Sequence, residues 1–344
     1  MKLMRDRVFS YVLPGQVAEP GAAFEQARAA ESLSMGGIFL SERWESKELG
    51  SVMGALTQAT QSVKLVAGLT HFGTRHPVVQ AGMAQTLQML SGGRYVLGYG
   101  RGVPPQFKKL GIPVPNMQGM IDYVEILRRL WAGETVNYSG PAGDYPELQL
   151  PLGTNDPPPV IFGTIGPKTL AMAGAHFDGV VLHPFLTTEG VARSVGIVRN
   201  AASAAGRDPS AIKIYATVIT VPDTLPETMR ADLLEARAVS YFMHREIGGP
   251  IIATNGWSEE PMNRIGESGL AGLEYGTGDP REKRRRMAQI AEMIPREWLS
   301  LGAATGSLDH CVSRLGDYVD AGADYILLHG TTPDQQSDML RALT

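Results

Sequence analysis

Two histidines in this sequence are suited to proton transfer, because imidazole titrates near neutral pH. His71 and His183 each closely follow a run of β-branched and apolar residues typical of a buried strand. Another such run is followed by Glu42 and Arg43, whose side chains should point to opposite sides of an extended chain. Glu42 is either an acid or base in catalysis or one member of a structural ion pair. The candidate catalytic residues are therefore Glu42, Arg43, His71 and His183.

A second group of residues is suited to binding a phosphate. Arg101 lies between two glycines, which let an anion approach its guanidinium group. Gly166 and Pro167 stand where a strand should turn into a helix that starts near Lys168, and the free N–H groups of a helix start bind anions. A surface arginine and an ordinary strand-to-helix turn are the alternatives. With the candidate catalytic residues, these features indicate a site for a phosphorylated or anionic planar ligand.

Other common sites do not fit the spacing of the residues. The glycines of 98–102 lack the Gly-x-Gly-x-x-Gly spacing of a dinucleotide fold, and Pro104 follows where a helix would begin. The sequence also lacks a Gly-x-Ser-x-Gly nucleophile motif and a histidine–carboxylate spacing typical of a metal site. We therefore expect no metal and no Rossmann-type nucleotide site.

The candidate residues belong to a chain of alternating strand and helix patterns, which indicates a parallel α/β sheet. The runs that predict strands are 8–13, 37–41, 63–69, 95–99, 159–163, 178–182, 212–221 and 324–329. Eight strands with helices between them predict a (β/α)8 TIM barrel, an α/β fold whose active sites lie at the carboxyl ends of the strands. The candidate residues follow strands two to six and should therefore meet at one mouth of the barrel.

Two stretches interrupt the alternation and predict irregular insertions at the carboxyl-end loops. Residues 134–158 carry many turn formers, and residues 248–280 contain several Gly- and Pro-rich turns. Long connections often cover an active site. We expect 248–280 to be a mobile cover that contributes Trp257 or Met262 to the pocket wall, or else a subunit interface. No linker is evident, so we expect residues 1–344 to form a single domain.

Composition narrows the class of protein. With 31 Lys and Arg against 35 Asp and Glu, the net charge of −4 offers no general attraction to nucleic acids. The one cysteine, Cys311, excludes an intrachain disulfide and any site with several thiolate ligands. Apolar runs of about 18 residues are absent, so we expect no membrane span. We therefore expect a cytoplasmic protein without a nucleic-acid or membrane partner.

Several motifs, taken in order, resemble those of the luciferase-like monooxygenase superfamily. They are Arg-His-Pro at 75–77, Leu-Ser-Gly-Gly-Arg at 90–94, Leu-Gly-Tyr-Gly at 97–100 and Tyr-Val-Asp-Ala-Gly-Ala-Asp at 318–324. The resemblance covers nearly the whole chain, and it implies a (β/α)8 barrel that binds FMN or the deazaflavin coenzyme F420 at the carboxyl ends of its strands. The pattern at 178–183 looks more like the F420-dependent oxidoreductases of the superfamily.

The resemblance also implies roles for individual residues. Gly68 and Leu69 match a non-proline cis peptide that backs the ring in the F420-dependent enzymes, and Glu42 matches an acidic residue near that ring. The residues that match the phosphate loop are Thr164, Ile165, Gly166 and Pro167. Gly100 and Arg101 resemble the loop of bacterial luciferase whose arginine meets the phosphate of FMN, so FMN is the alternative cofactor.

The function that the resemblance implies is hydride transfer between coenzyme F420 and an unknown small organic substrate, which Arg43, His71 or His183 would orient or protonate. The sugar-phosphate dehydrogenases of the superfamily have a histidine in place of Arg43 and a glutamate in place of Val103, which argues against that reaction. The alternatives are an FMN-dependent monooxygenase, a flavin-binding protein without turnover, and a phosphate-binding lyase or isomerase without a redox cofactor. A homodimer is compatible with the sequence.

Overall fold

The eight predicted strands are present and close into a barrel in the computed structural model, which describes residues 3–102, 104–270 and 280–343. The strands are β1 Val8–Tyr11, β2 Gly37–Leu40, β3 Lys64–Ala67, β4 Thr70–His71, β5 Tyr95–Gly100, β6 Val136–Gly140, β7 Gly143–Leu148, β8 Val160–Thr164, β9 Gly179–Leu182, β10 Lys213–Pro222, β11 Ala303–Gly306 and β12 Tyr325–Leu328. Around the barrel the order is β1-β2-β3-β5-β8-β9-β10-β12 in parallel pairs, and β12 pairs with β1 to close it. The predicted α/β (β/α)8 TIM barrel is confirmed.

Helices follow most of the strands and surround the barrel. They are α1 Ala22–Ser32, α2 Leu49–Ala59, α3 Pro77–Ser91, α4 Pro104–Lys109, α5 Met117–Trp131, α6 Pro167–His176, α7 Thr188–Ala204, α8 Glu227–Ala231, α9 Arg237–Phe242, α10 Arg245–Asn255, α11 Glu260–Glu267, α12 Pro280–Met293, α13 Arg296–Leu301, α14 Leu308–Asp320 and α15 Ser337–Ala342. A π-helical turn, Asp232–Ala236, joins α8 to α9. None of the described helices is long and apolar enough to cross a membrane.

Short-range signals account for several helix boundaries. The Ser307 side chain accepts a hydrogen bond from the His310 N–H at the start of α14, as its position before an apolar pattern predicts. α3 begins at Pro77 and is followed by Gly92, whose left-handed φ of 64° favours glycine. α4 begins at Pro104, where the sequence suggested no helix, because proline is tolerated in the first turn. These residues set where the helices begin or end between successive strands.

One apolar or aromatic side chain from each barrel strand fills the inside of the barrel. These side chains are Phe9, Phe39, Val66, Val96, Ile161, Val181, Tyr215 and Leu327. Tyr11 and Leu69 pack against this inner layer. Because side chains alternate along a strand, the position two residues beyond each inner residue faces the mouth at the carboxyl end. The inner layer is therefore the floor of the mouth.

The insertion at 134–158 is more regular than expected. β6 and β7 pair as an antiparallel hairpin, in which the Tyr138 and Tyr145 rings stack with their centroids 6.2 Å apart. The prediction of an irregular excursion therefore does not hold for residues 136–148, whereas residues 149–158 contain no helix or strand, as expected.

The sequence also does not predict β11, because this strand is short and contains mostly small residues. β11 pairs with the carboxyl-terminal part of β10 and does not enter the barrel.

The segment 248–280 is helical rather than irregular, apart from residues 271–279, which lie outside the described residues. It continues α10 and contains α11. Gly-Gly-Pro lies inside α10 and hides its apolar periodicity from sequence analysis. Trp257 stacks on Trp298 with centroids 4.8 Å apart, and Met262 is buried beside Gly248. These contacts hold helices together and do not support the predicted role of Trp257 or Met262 in a pocket wall.

Candidate active site

Two different sets of residues face the mouth of the barrel. On β3, β5 and β8, the positions two residues beyond the inner layer are Gly68, Gly98 and Gly163. On β9, β10, β12 and β1, the same positions hold His183, Thr217, His329 and Tyr11. We call these sets the glycine half and the polar half. Ser41, beyond β2, lies at the boundary between them.

Leu69 lies across the glycine half. The Gly68–Leu69 peptide bond is cis, as expected. β2 and the residues after it hold this segment, because the Gly68 N–H donates to the Leu40 carbonyl (2.8 Å) and the Glu42 N–H donates to the Leu69 carbonyl (3.1 Å). A Cβ atom on Gly163 would overlap the Leu69 side chain. Glycine is therefore required there for Leu69 to occupy its position.

The predicted phosphate loop joins β8 to α6. Gly166 has a φ of 94°, which favours glycine, and Pro167 is the first residue of α6. The Thr164 hydroxyl donates to Thr169 Oγ1 (2.5 Å), and the Thr169 hydroxyl lies 2.9 Å from the Ile165 carbonyl oxygen. These contacts tie the loop to the first turn of α6. Its free backbone N–H groups and the helix dipole favour an anion at this point.

Arg101 follows β5, which is the neighbour of β8 in the barrel. Its side chain is exposed, and among the described residues its guanidinium has no hydrogen-bond or ion-pair partner. Gly100 ends β5, and Gly102 has a φ of 81° that favours glycine. Arg101 is therefore free to bind an anion near α6, and its role as a phosphate ligand stays a prediction. Val103 lies outside the described residues.

Glu42 forms a structural ion pair, which is one of its two proposed roles. Its Oε2 atom accepts from Arg75 Nη1 (2.6 Å) and from the Thr70 hydroxyl (3.0 Å), and its Oε1 atom accepts from the Leu49 N–H (3.1 Å). The side chain is buried, and Arg75 also pairs with Glu48. Both carboxylate oxygens are engaged, so the contacts of Glu42 are those of a positioning group rather than of a free acid or base.

Arg43 and His71 lie at the rim beside the glycine half. Arg43 is exposed and Glu42 is buried, so their side chains diverge as expected. The His71 ring meets Trp44 and Phe107 edge-on, with centroid distances of 5.8 and 5.3 Å. Burial lowers the pKa of His71 from its ordinary value, so the imidazole is neutral near pH 7. His71 can therefore donate one hydrogen bond and accept another.

The polar half contains a cluster of ring side chains. The His183 ring meets Tyr241 edge-on at 4.8 Å between centroids, and Tyr241 Oη lies 3.0 Å from His329 Nε2. The Tyr11 and His329 rings are 5.5 Å apart. Burial lowers the pKa of His183 to about 4 and lowers the pKa of His329 well below its ordinary value. Both imidazoles are therefore neutral near pH 7.

Sequence analysis identified His183 but missed its partners. His329 follows the last barrel strand just as His183 follows β9, and Tyr11 ends β1, so the rule that found His183 could have found both. Tyr241 belongs to α9, a helix inserted after β10, and no local spacing links it to a strand end. Packing of α9 over the mouth brings Tyr241 to the two histidines.

Comparison with known proteins covers nearly the whole chain. The model of the luciferase-like monooxygenase family matches residues 6–325. The chain belongs to this family. The match extends from just before β1 into β12, so the family region includes the cis peptide, the phosphate loop and α9. His329 lies just beyond it.

Relatives of this luciferase-like protein include named reductases and dehydrogenases. The chain is 24% identical over 311 residues to a 5,10-methylenetetrahydromethanopterin reductase from Methanolobus tindarius, covering 88% of this chain and 87% of the relative. It is 26% identical over 348 residues to an F420-dependent glucose-6-phosphate dehydrogenase from Nakamurella multipartita, covering 95% and 92%. The structure of the coenzyme F420-dependent tetrahydromethanopterin reductase from Methanopyrus kandleri has a TM-score of 0.77 at 18% identity, covering 97% of this chain and 96% of that chain. This structural likeness shows the fold.

Proposed function

We propose that this family member is an oxidoreductase that uses coenzyme F420 to move a hydride to or from a small organic substrate. The observation that carries the proposal is the glycine half, where the cis Gly68–Leu69 segment and Gly163 lie beside the start of α6. A planar ring with a phosphate-bearing tail suits a wall without side chains next to a helix start. Relatives named as F420-dependent support this choice of cofactor.

The residues of the glycine half fit a deazaflavin on steric and electrostatic grounds. A Cβ atom on Gly98 or Gly163 would collide with Leu69, so any side chain there would also displace a ring that lies on Leu69. Arg101 and the backbone N–H groups after Gly166 would hold the phosphate. When bound, the deazaflavin supplies the hydride chemistry at C5 of its ring.

The polar half would then face the substrate. His183 and Tyr241 would orient a small polar molecule by hydrogen bonds, and the neutral His183 ring would accept one proton as a base. His71 and Arg43 stay candidates for the same task from the opposite rim. Glu42 would act indirectly, because its backbone and carboxylate hold the segment that carries Leu69.

FMN is the second candidate cofactor, and exposed Arg101 between two glycines is the feature that favours it. Fluorescence titration of the purified protein with coenzyme F420 and with FMN separates the two. We expect F420 to bind at least about tenfold more tightly, a difference of about 1.4 kcal/mol. Equal or reversed affinities would move the proposal to an FMN-dependent monooxygenase.

Turnover distinguishes an enzyme from a flavin-binding protein. The F420-loaded protein should change the absorbance of its cofactor when it is given a substrate from a panel of alcohols and carbonyl compounds. A tightly bound cofactor that keeps its redox state across the whole panel would support a binding protein instead. Assembly as a homodimer stays a prediction, which sedimentation analysis tests.

A further inference from the structure

Arg237 differs in its contacts from the other buried or half-buried arginines. Arg75, Arg199 and Arg207 each form an ion pair with a carboxylate. Arg237 is half-buried, yet among the residues that the structure describes its guanidinium has no hydrogen-bond or ion-pair partner. A cation that is partly removed from water without a counter-charge is unfavourable, so this position suits an incoming anion.

The position of Arg237 is at the polar half of the mouth. Arg237 is the first residue of α9 and directly follows the π-helical turn, and such turns are frequent at functional sites. Its Nη2 atom lies only 2.9 Å from the place that a Cβ atom on Gly330 would take. Gly330 directly follows His329 and has a φ of 82°. Glycine at this position therefore gives the guanidinium access to the end of β12.

Electrostatic effects place the same guanidinium near the ring cluster. The positive charge of Arg237 contributes to the low pKa of His329, after burial, and it opposes the rise in the pKa of Tyr11 that burial causes. The charge therefore acts on the end of β1 and the end of β12 together. These two strands are neighbours in the barrel.

His329 supplies a second, independent observation. Its Nε2 atom is paired with Tyr241 Oη at 3.0 Å, whereas its Nδ1 atom is buried and has no hydrogen-bond partner among the described residues. When Tyr241 donates to Nε2, Nδ1 carries the proton of the neutral ring. A buried N–H group without a partner requires an acceptor from a ligand or from water. In this tautomer, the guanidinium and the Nδ1 N–H group are two donors at one end of the mouth that have no acceptor among the described residues.

We propose that Arg237 and His329 bind an anionic group of the substrate, a carboxylate or a phosphate. The inference rests on the proposed function, and it narrows the substrate to an anionic small molecule that lies with its charged end at β12. An oxyanion between the two groups would accept hydrogen bonds from the planar guanidinium and from Nδ1. The reacting carbon would then lie toward the glycine half.

Titration of the F420-loaded protein with inorganic phosphate and with acetate tests the proposal, with calorimetry as the measurement. Loading first fills the cofactor's own phosphate site. R237Q should raise the Kd of the preferred anion at least about tenfold. The Kd of R237K should lie between those of R237Q and the wild type, because lysine keeps the charge but lacks the paired N–H donors of the guanidinium. R245Q is the matched control, because Arg245 is exposed and pairs with Glu259. Its Kd should be unchanged.

The same titrations distinguish the two sources of charge and the two ways to fail. Tighter binding of phosphate indicates a phosphorylated substrate, and tighter binding of acetate indicates a carboxylate. Equal Kd values in the wild type and R237Q, or no binding of either anion by the wild type, would overturn the inference. R237Q and R237K should bind F420 as the wild type does, and a loss of F420 affinity in both would assign Arg237 to the cofactor instead. If the wild type does not bind F420, the proposed function fails, and the anion titration of the unloaded variants still tests Arg237.

Discussion

The glycine half and the polar half of the barrel mouth are formed by equivalent positions on their strands, but the side chains at these positions differ. Each presents the residues two positions beyond the inner layer. In the glycine half these positions carry no side chain, and the cis segment places Leu69 across the wall. In the polar half they carry imidazole and hydroxyl groups, which Tyr241 from α9 joins.

Under the proposed function, this difference would let one barrel hold a cofactor and a substrate side by side. A wall without side chains accepts a broad ring, whereas hydrogen-bonding side chains recognise a smaller polar molecule. Cations without a partner among the described residues lie at the edge of each half, Arg101 near β5 and β8 and Arg237 near β12. Under the two proposals, each half would bind a ligand with an anionic end.

Loss of Glu42 should have the largest effect and should damage the support of the glycine half. E42A removes the buried carboxylate that Arg75, Thr70 and the Leu49 N–H share. Arg75 then keeps its pair with Glu48, but the buried Thr70 hydroxyl and Leu49 N–H lose their acceptor. We therefore expect the free energy of unfolding to fall by about 3–5 kcal/mol in urea titrations. E134A is the control, since Glu134 pairs with Arg129 at the surface and should cost less than about 1 kcal/mol. Equal losses in the two variants would contradict the structural role of Glu42.

A side chain at Gly163 should fill part of the wall without side chains that distinguishes the glycine half from the polar half. G163V places atoms where Leu69 lies, so Leu69 must shift into the space proposed for the ring. We expect F420 affinity in fluorescence titrations to fall by about a hundredfold, near the upper end of overpacking costs. G196A is the control, because Gly196 of α7 has open space around it. If G163V keeps its fold by circular dichroism and also keeps its affinity, the ring does not bind on Leu69.

Removal of the Arg101 charge should weaken cofactor binding at the glycine half without changing the shape of this half. R101A should reduce cofactor affinity by about 1–3 kcal/mol, the usual loss for a hydrogen bond to a charged group. Exposed Lys168 lies in the first turn of α6 and shares the positive charge, so the loss should be toward the lower value. K108A, on the exposed face of α4, is the control and should bind as the wild type does. An unchanged Kd for R101A would make Arg101 an ordinary surface residue.

The smallest expected effect is a change in the pH dependence of stability, caused by His183 in the polar half. The pKa of His183 is about 4 in the folded chain and about 6.5 when unfolded, so only the unfolded chain binds the proton between these values. The contribution of His183 to stability is therefore complete above pH 6.5 and is lost as pH falls toward 4. H183N should reduce the loss of unfolding free energy between pH 7 and pH 5 by about 1–2 kcal/mol.

Urea titrations at the two pH values measure this change. H310N is the control, because His310 is exposed on α14 and should leave the pH dependence as it is. His329 is present in both variants and shifts in the same direction, so part of the pH dependence should persist in each. An identical pH dependence in H183N and the wild type would show that His183 is not buried as a neutral ring.

Local patterns were enough to find the barrel strands and part of the site. The runs of apolar residues predicted all eight barrel strands, since strands buried on both faces are apolar throughout. Similarity to a known family pointed to the cis bond at Gly68 and Leu69, which is confirmed. The hairpin at β6 and β7 and the helices α10 and α11 were missed, because turn-forming residues within these segments hide their periodicity.

Sequence alone determined the order of the eight barrel strands, and therefore which residues stand at their carboxyl ends. Only the tertiary structure decided that Glu42 pairs with Arg75, that Tyr241 reaches His329, and that Arg237 has no counter-charge among the described residues. The physical reason is range. A strand or a helix start depends on neighbours a few residues away, whereas these contacts join side chains 33 and 88 residues apart, and packing around the closed barrel brings them together.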